Sequence, residues 1–97
     1  MGWQVVFSIR SRDDLQRIVE YIAHDDATAA ERFGLALIAQ AESFATAPHI
    51  GMPMLERPGT RFFPFGSYLI IYRADAARQT VRILRFWHGA RGRRPLR

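Results

Sequence analysis

The chain has 97 residues, 48% of them hydrophobic and 24% charged, with a formal net charge of +5, which suffices for one core and one domain spanning residues 1–97 and is too apolar for a disordered tail. It contains no cysteine, so disulfides and thiolate metal sites are excluded and a cytoplasmic setting is expected. The longest apolar run, Tyr68 to Tyr72, is too short to span a bilayer, and Met1 to Ile9 lacks the marks of a secretory signal, so no membrane partner is expected.

Gln4 to Ile9 alternates Val5, Phe7 and Ile9 against Gln4, Val6 and Ser8, which predicts a short first strand. Ser11, followed three residues later by Asp14, reads as a helix entrance. Leu15, Ile18, Val19 and Ile22 then recur at helical spacing, giving a first helix that ends near His24 with Arg17 and Glu20 on its wet side. Asp25 to Thr28 is the break. Thr28 with Glu31 repeats the capping pattern, and Ala30, Phe33, Leu37, Ile38, Ala41 and Phe44 form the stripe of a second helix that Pro48 ends. Two helices joined so closely form an antiparallel hairpin, and Gly34 allows a close approach.

Pro48 to Gly59 is rich in proline and glycine and reads as a loop packed on the domain. Arg61 to Phe65, Tyr68 to Arg73 and Thr80 to Trp87 are aromatic and β-branched runs, separated at Gly66 and over Ala74 to Arg78, which predict antiparallel strands. Alternation puts Arg73 with Leu69 and Ile71, and Tyr68, Ile70 and Tyr72 on the other side. In the last strand it puts Arg82 with Leu84 and Phe86, and Arg85 with Val81, Ile83 and Trp87. Residues 92–97 are expected to be a mobile basic tail. The fold class is therefore α+β: an N-terminal strand and an antiparallel helical hairpin packed on a three- to four-stranded antiparallel sheet.

Charge divides the chain. Residues 1–56 hold eight acids and four arginines, whereas residues 57–97 hold ten arginines and one acid, Asp75, so the two parts carry −4 and +9. A basic half attracts phosphates or an acidic protein, with salt-dependent affinity. All fourteen basic residues are arginine, the side chain suited to bidentate pairing and stacking. The paired acids Asp13-Asp14 and Asp25-Asp26 sit at helix starts, where the helix dipole explains them. His24 and His49 read as capping or surface residues, and no histidine pair has the spacing of a metal site.

This order of elements resembles the RelE/ParE superfamily of toxins from type II toxin–antitoxin systems, often labelled plasmid stabilisation proteins. The resemblance is carried by Asp14-Leu15 with Ile18 and Tyr21-Ile22, Ala30 with Arg32-Phe33, Pro48 with Gly51-Met52-Pro53, and Arg61-Phe62 before Gly66. It continues through Tyr68 to Arg73 and Ile83-Leu84-Arg85 before His88-Gly89-Ala90-Arg91. In detail the chain is similar to the ParE branch, which implies a toxin that acts on DNA gyrase. RelE-like members cut messenger RNA on the ribosome. Where their pattern has Gly-Tyr-Arg, with the arginine catalytic, this chain has Ser67-Tyr68-Leu69, and the lysines that RelE carries on the preceding strand are absent.

No catalytic residue, cofactor or metal is therefore expected, and a target or antitoxin is expected to contact Arg61, Phe63, Arg73, Arg82, Arg85, Trp87 and Arg91. Aromatic and arginine side chains are the usual interface anchors. The alternative is a ribosome-dependent endonuclease using His88, Arg91, Arg61 and Arg73 as proton carrier and phosphate clamps. A further alternative is a basic nucleic-acid-binding module. The toxin readings imply a ParD-like antitoxin in a hetero-oligomer, with an acidic segment that folds over part of the groove between hairpin and sheet.

Overall fold

A computed structural model describes residues 2–91, Arg91 by its backbone alone. The expected mobile tail lies outside these residues. The order is β1 (Gln4–Phe7), α1 (Ile9–Ala23), α2 (Ala27–Glu42), a single 3₁₀ turn at Ser43–Ala45, β2 (Met52–Pro53), β3 (Thr60–Phe65), β4 (Tyr68–Asp75) and β5 (Thr80–His88). The strands form one five-stranded sheet in the order β1-β5-β4-β3-β2. The α+β class holds, with a hairpin over a sheet, but the sheet is mixed. Its first strand pairs in parallel with its last, Val5 opposite Val81 and Phe7 opposite Ile83, and Met52–Pro53 adds an antiparallel edge. A two-residue edge that includes a proline offers little to further strands.

Both helices begin earlier than expected. Ser8, in extended conformation, is the cap of α1, and its hydroxyl accepts from the Ser11 N–H. Ile9 belongs to the first turn of the helix and not to the strand. Ser11 is fully buried at the third helical position and donates its hydroxyl to the Ser8 carbonyl. For α2 the cap is Asp26, which accepts from Ala29 N–H at 3.0 Å, and not Thr28. The helix itself stops at Glu42, and the fully buried Phe44 sits on the 3₁₀ turn. The close approach at Gly34 is real, since a β-carbon there would lie 2.9 Å from Val19 Cγ2.

Ile18, Leu37, Ala41, Phe44, Ile70, Tyr72, Val81, Ile83 and Phe86 form the core between hairpin and sheet, with Phe63 and Phe65 packed against it. A bulge in β5 corrects the expected faces. Ile71 lies opposite Arg85 while Tyr72 lies opposite Ile83, so Leu84 is the inserted residue. One inserted residue reverses the alternation beyond it. Phe86 therefore joins Val81 and Ile83 on the hairpin face, and Arg85 and Trp87 fall on the opposite face with Arg82. Gly66, at φ +58, makes the two-residue turn between β3 and β4, a conformation that suits glycine at the first turn position.

Tyr72 ties the 46–52 loop to the core. Its ring stacks on Phe44 at 4.4 Å, and its hydroxyl accepts from Gly51 N–H at 2.9 Å. Burial pushes its pKa upward, with the Gly51 hydrogen bond opposing. A phenol held neutral in the fold but free to ionise when unfolded loses stability as pH rises above about 10. Tyr72→Phe is expected to flatten the alkaline limb of thermal melts taken between neutral pH and about pH 11. It should also cost about 1–2 kcal/mol at neutral pH, because the Gly51 N–H is left without its acceptor.

Candidate functional site

Among the described side chains the sequence-derived site residues divide between the two faces of the sheet, Arg61 and Phe63 on the hairpin face and Arg73, Arg82, Arg85 and Trp87 on the other. By register Arg61 lies opposite Tyr72, on the hairpin face, where its Nη1 donates to the carbonyls of Gly51 at 2.7 Å and His49 at 3.2 Å. Phe63 packs edge-on against Phe44 at 5.4 Å, on the same face. Arg73, on the other face, donates to Thr60 Oγ1 at 3.2 Å and the Pro58 carbonyl at 3.4 Å. Arg82 is exposed and lies directly opposite Arg73.

Arg85 does something the sequence did not suggest. Its Nε and Nη2 donate to Asp14 Oδ2 at 2.7 Å and Oδ1 at 3.0 Å, and the Phe86 N–H donates to Oδ2 at 3.1 Å. The paired side chains are only 11% and 8% exposed. These bonds hold the guanidinium proton more tightly than usual, although burial works against it. Its Cζ lies 5.1 Å from the centroid of the Trp87 ring, close enough for a cation–π contact. Asp14 is thus more than a helix-dipole residue: it anchors α1 to β5.

Beside this pair, a cleft of about 450 Å³ opens between α1 and the ends of β4 and β5, lined by Asp14, Arg17, Ile18, Tyr21, Tyr68, Phe86, His88 and Ala90. Tyr21 is 76% exposed. His88 meets Tyr68 edge-on at 4.9 Å, and its Nδ1 accepts from the Ala90 N–H at 3.1 Å. The neutral ring then carries its proton on Nε2, so it offers a donor and no free lone pair. Arg17 and Tyr21 were missed as site residues. The available signal was an aromatic one turn beyond Ile18, on a helix side otherwise marked by Arg17 and Glu20.

His24 caps α1, its backbone N–H reaching the Glu20 and Ile22 carbonyls, and His49 lies edge-on to Trp3 at 5.6 Å. Among the described residues no group of three or more His, Asp or Glu side chains is placed to hold a metal ion. Nor is any helix among them long and apolar enough to cross a membrane.

Residues 5–92 match the family described as the ParE toxin of the type II toxin–antitoxin system parDE. The chain is 32% identical over 91 residues to Toxin RelE1 of Caulobacter vibrioides, covering 92% of this chain and 96% of that one. It is similar in fold to a chain of the toxin–antitoxin complex RelBE2 of Mycobacterium tuberculosis, with a TM-score of 0.73, 26% identity and coverage of 91% and 99%. It also superimposes on a chain of the chromosomal ParDE system of P. aeruginosa, with a TM-score of 0.75, 16% identity and coverage of 90% and 96%. Matched over nearly its whole length by that family, the chain belongs to the ParE toxins of type II toxin–antitoxin systems.

Proposed function

We propose that this toxin arrests growth by binding DNA gyrase in the cytoplasm, and that a cognate acidic antitoxin neutralises it by laying a folding segment in the cleft between α1 and the sheet. The observation that carries the binding reading is the scatter of the groups an RNA-cleaving site would need. Cleavage requires a base, an acid and cations around one phosphate. Arg61 and Arg73 lie on opposite faces of the sheet and are engaged with loop carbonyls. The Nδ1 of His88 is taken by Ala90, and Leu69 stands where RelE toxins have a catalytic arginine.

The antitoxin reading is supported by the charge of residues 57–97, ten arginines against one acid. It is supported too by the similar chain from Mycobacterium tuberculosis, which belongs to a toxin–antitoxin complex. Exposed Tyr21 and Arg17 give an incoming segment an apolar anchor and a charge partner.

In a supercoiling assay, purified toxin is expected to inhibit gyrase at near-stoichiometric amounts and to be relieved by the protein that co-purifies with it. Unaffected supercoiling at stoichiometric excess would overturn the gyrase reading. Cleavage of messages in a translation extract, lost with His88→Ala, would replace it with the endonuclease reading.

A further inference from the structure

β1 ends too soon to cover β5. Its last pair is Phe7 with Ile83, and Ser8 closes it off, donating its N–H to the Ile83 carbonyl and its hydroxyl to the Leu84 carbonyl, both at 3.0 Å. The chain then turns into α1 at Ile9, whereas β5 runs on to His88. From Arg85 onward β5 therefore has β4 on one side and no described strand on the other. The far edge of the sheet, at β2, is blunted by its proline and its length of two residues. The end of β5 has no such protection.

Alternation fixes which backbone groups meet that open edge. The Gly89 N–H turns toward β4, where it donates to the Ser67 carbonyl at 2.8 Å. The Phe86 N–H turns away from β4 and is taken by Asp14 Oδ2. His88, two positions on from Phe86, sends its N–H and C=O the same way, and no described residue takes either. Asp14 is thus a stop, filling the position of a neighbouring strand beside Phe86 and leaving the position beside His88 open. The cleft of about 450 Å³ meets the edge there, since Arg17, Tyr21, His88 and Ala90 all line it.

We propose that the antitoxin segment crosses this cleft in extended form and pairs with the backbone of His88 as a short strand added to β5, with an apolar residue opposite His88 and an acidic one close by. The inference rests on the antitoxin reading above and gives that segment a conformation and a chemistry. A helix satisfies its own backbone and would cover the His88 N–H and C=O without bonding them, which is costly. An extended segment bonds both, as in other cases of strand addition to a sheet edge. The residue so paired projects its side chain on the same face as the His88 ring. There Ile18, Tyr21, Tyr68 and Phe86 form an apolar seat. Arg17, exposed on the same wall, supplies the cation for a carboxylate. Asp14 does not set a bare acid against the segment, because Arg85 neutralises it.

The test is amide hydrogen exchange, followed by NMR on isotope-labelled full-length toxin, free and with the co-purifying antitoxin. With free antitoxin at about 100 times its Kd, the His88 amide is expected to exchange about 100-fold more slowly than in the toxin alone. Two variants read the same bond by affinity. His88→Pro removes the N–H that faces the edge and leaves the β4 pairing untouched, whereas His88→Ala removes only the ring. With both folds checked by melting temperature, the proline variant is expected to bind antitoxin at least about tenfold more weakly than the alanine variant. The exchange measurement decides alone if the proline variant does not fold. Unchanged exchange at His88 in a formed complex would overturn the strand pairing and leave the antitoxin reading standing. Helical carbon shifts for the antitoxin residues nearest His88, or equal affinities in the two variants, would do the same. Absence of any complex with the co-purifying protein would overturn both.

Discussion

Asp14→Ala is expected to destabilise the fold by about 3–5 kcal/mol, because it leaves the Arg85 guanidinium buried without its partner. Both carboxylate oxygens are engaged by Arg85, and one also accepts the Phe86 N–H. One truncation therefore removes three hydrogen bonds from a site that is mostly closed to water. A domain of this size has about 5–15 kcal/mol in all, so the variant should lie near the edge of folding. In urea unfolding the midpoint should fall with little change in slope, and the melting temperature should drop by about 15–30 °C. Arg85→Lys should lose part of the same energy, since an ammonium cannot span both oxygens as the fork does. The combination Asp14→Leu with Arg85→Met should recover much of the loss, because a buried ion pair is worth little more than well-packed apolar side chains. An Asp14→Ala stability within about 1 kcal/mol of wild type, the value of a solvated pair, would show that the pair is not holding α1 to β5.

The same pair shows where a sequence can be read and where it cannot. The periodicity of Ile18, Leu37 and Ala41, and the strand runs on either side of Gly66, are local signals, and they placed the hairpin and the antiparallel strands. Asp14 beside Asp13 is equally legible as a helix-dipole residue, and nothing local says that its partner lies 71 positions away. Ser8 and Ser11 are both plausible caps by type. What selects Ser8 is the Leu84 carbonyl, which takes its hydroxyl from 76 positions away. The Leu84 bulge lies just past the last β1–β5 pair, where Ser8 donates to the Leu84 carbonyl, a long-range contact with no local signature, so simple alternation assigned Arg85, Phe86 and Trp87 to the wrong sides. Parallel pairing of β1 with β5 likewise has no local signature. The family motifs, Tyr21 among them, pointed to the toxin class, but neither Tyr21 nor Arg17, which was placed on the wet side of the first helix, was marked as lining a site, although both line the cleft beside α1.

Those two residues carry the largest expected functional effect. Tyr21→Ala should weaken the affinity for the co-purifying antitoxin by about 2–4 kcal/mol, a loss of roughly 30- to 1,000-fold, as truncation of a central aromatic anchor does. Because the ring is 76% exposed in the isolated toxin, fold stability should change by no more than about 0.5 kcal/mol. The two effects therefore separate cleanly. Arg17→Glu on the same wall of the cleft should act mainly on the association rate, which falls and loses its dependence on salt if the incoming segment is acidic. Leu35 on α2 is 63% exposed but does not line the cleft, so Leu35→Ala should leave antitoxin binding unchanged. Surface plasmon resonance or calorimetry with the antitoxin measures all three. If Tyr21→Ala binds as wild type does while Leu35→Ala weakens, the antitoxin covers the outer face of the hairpin, and the cleft between α1 and the sheet is left for the target.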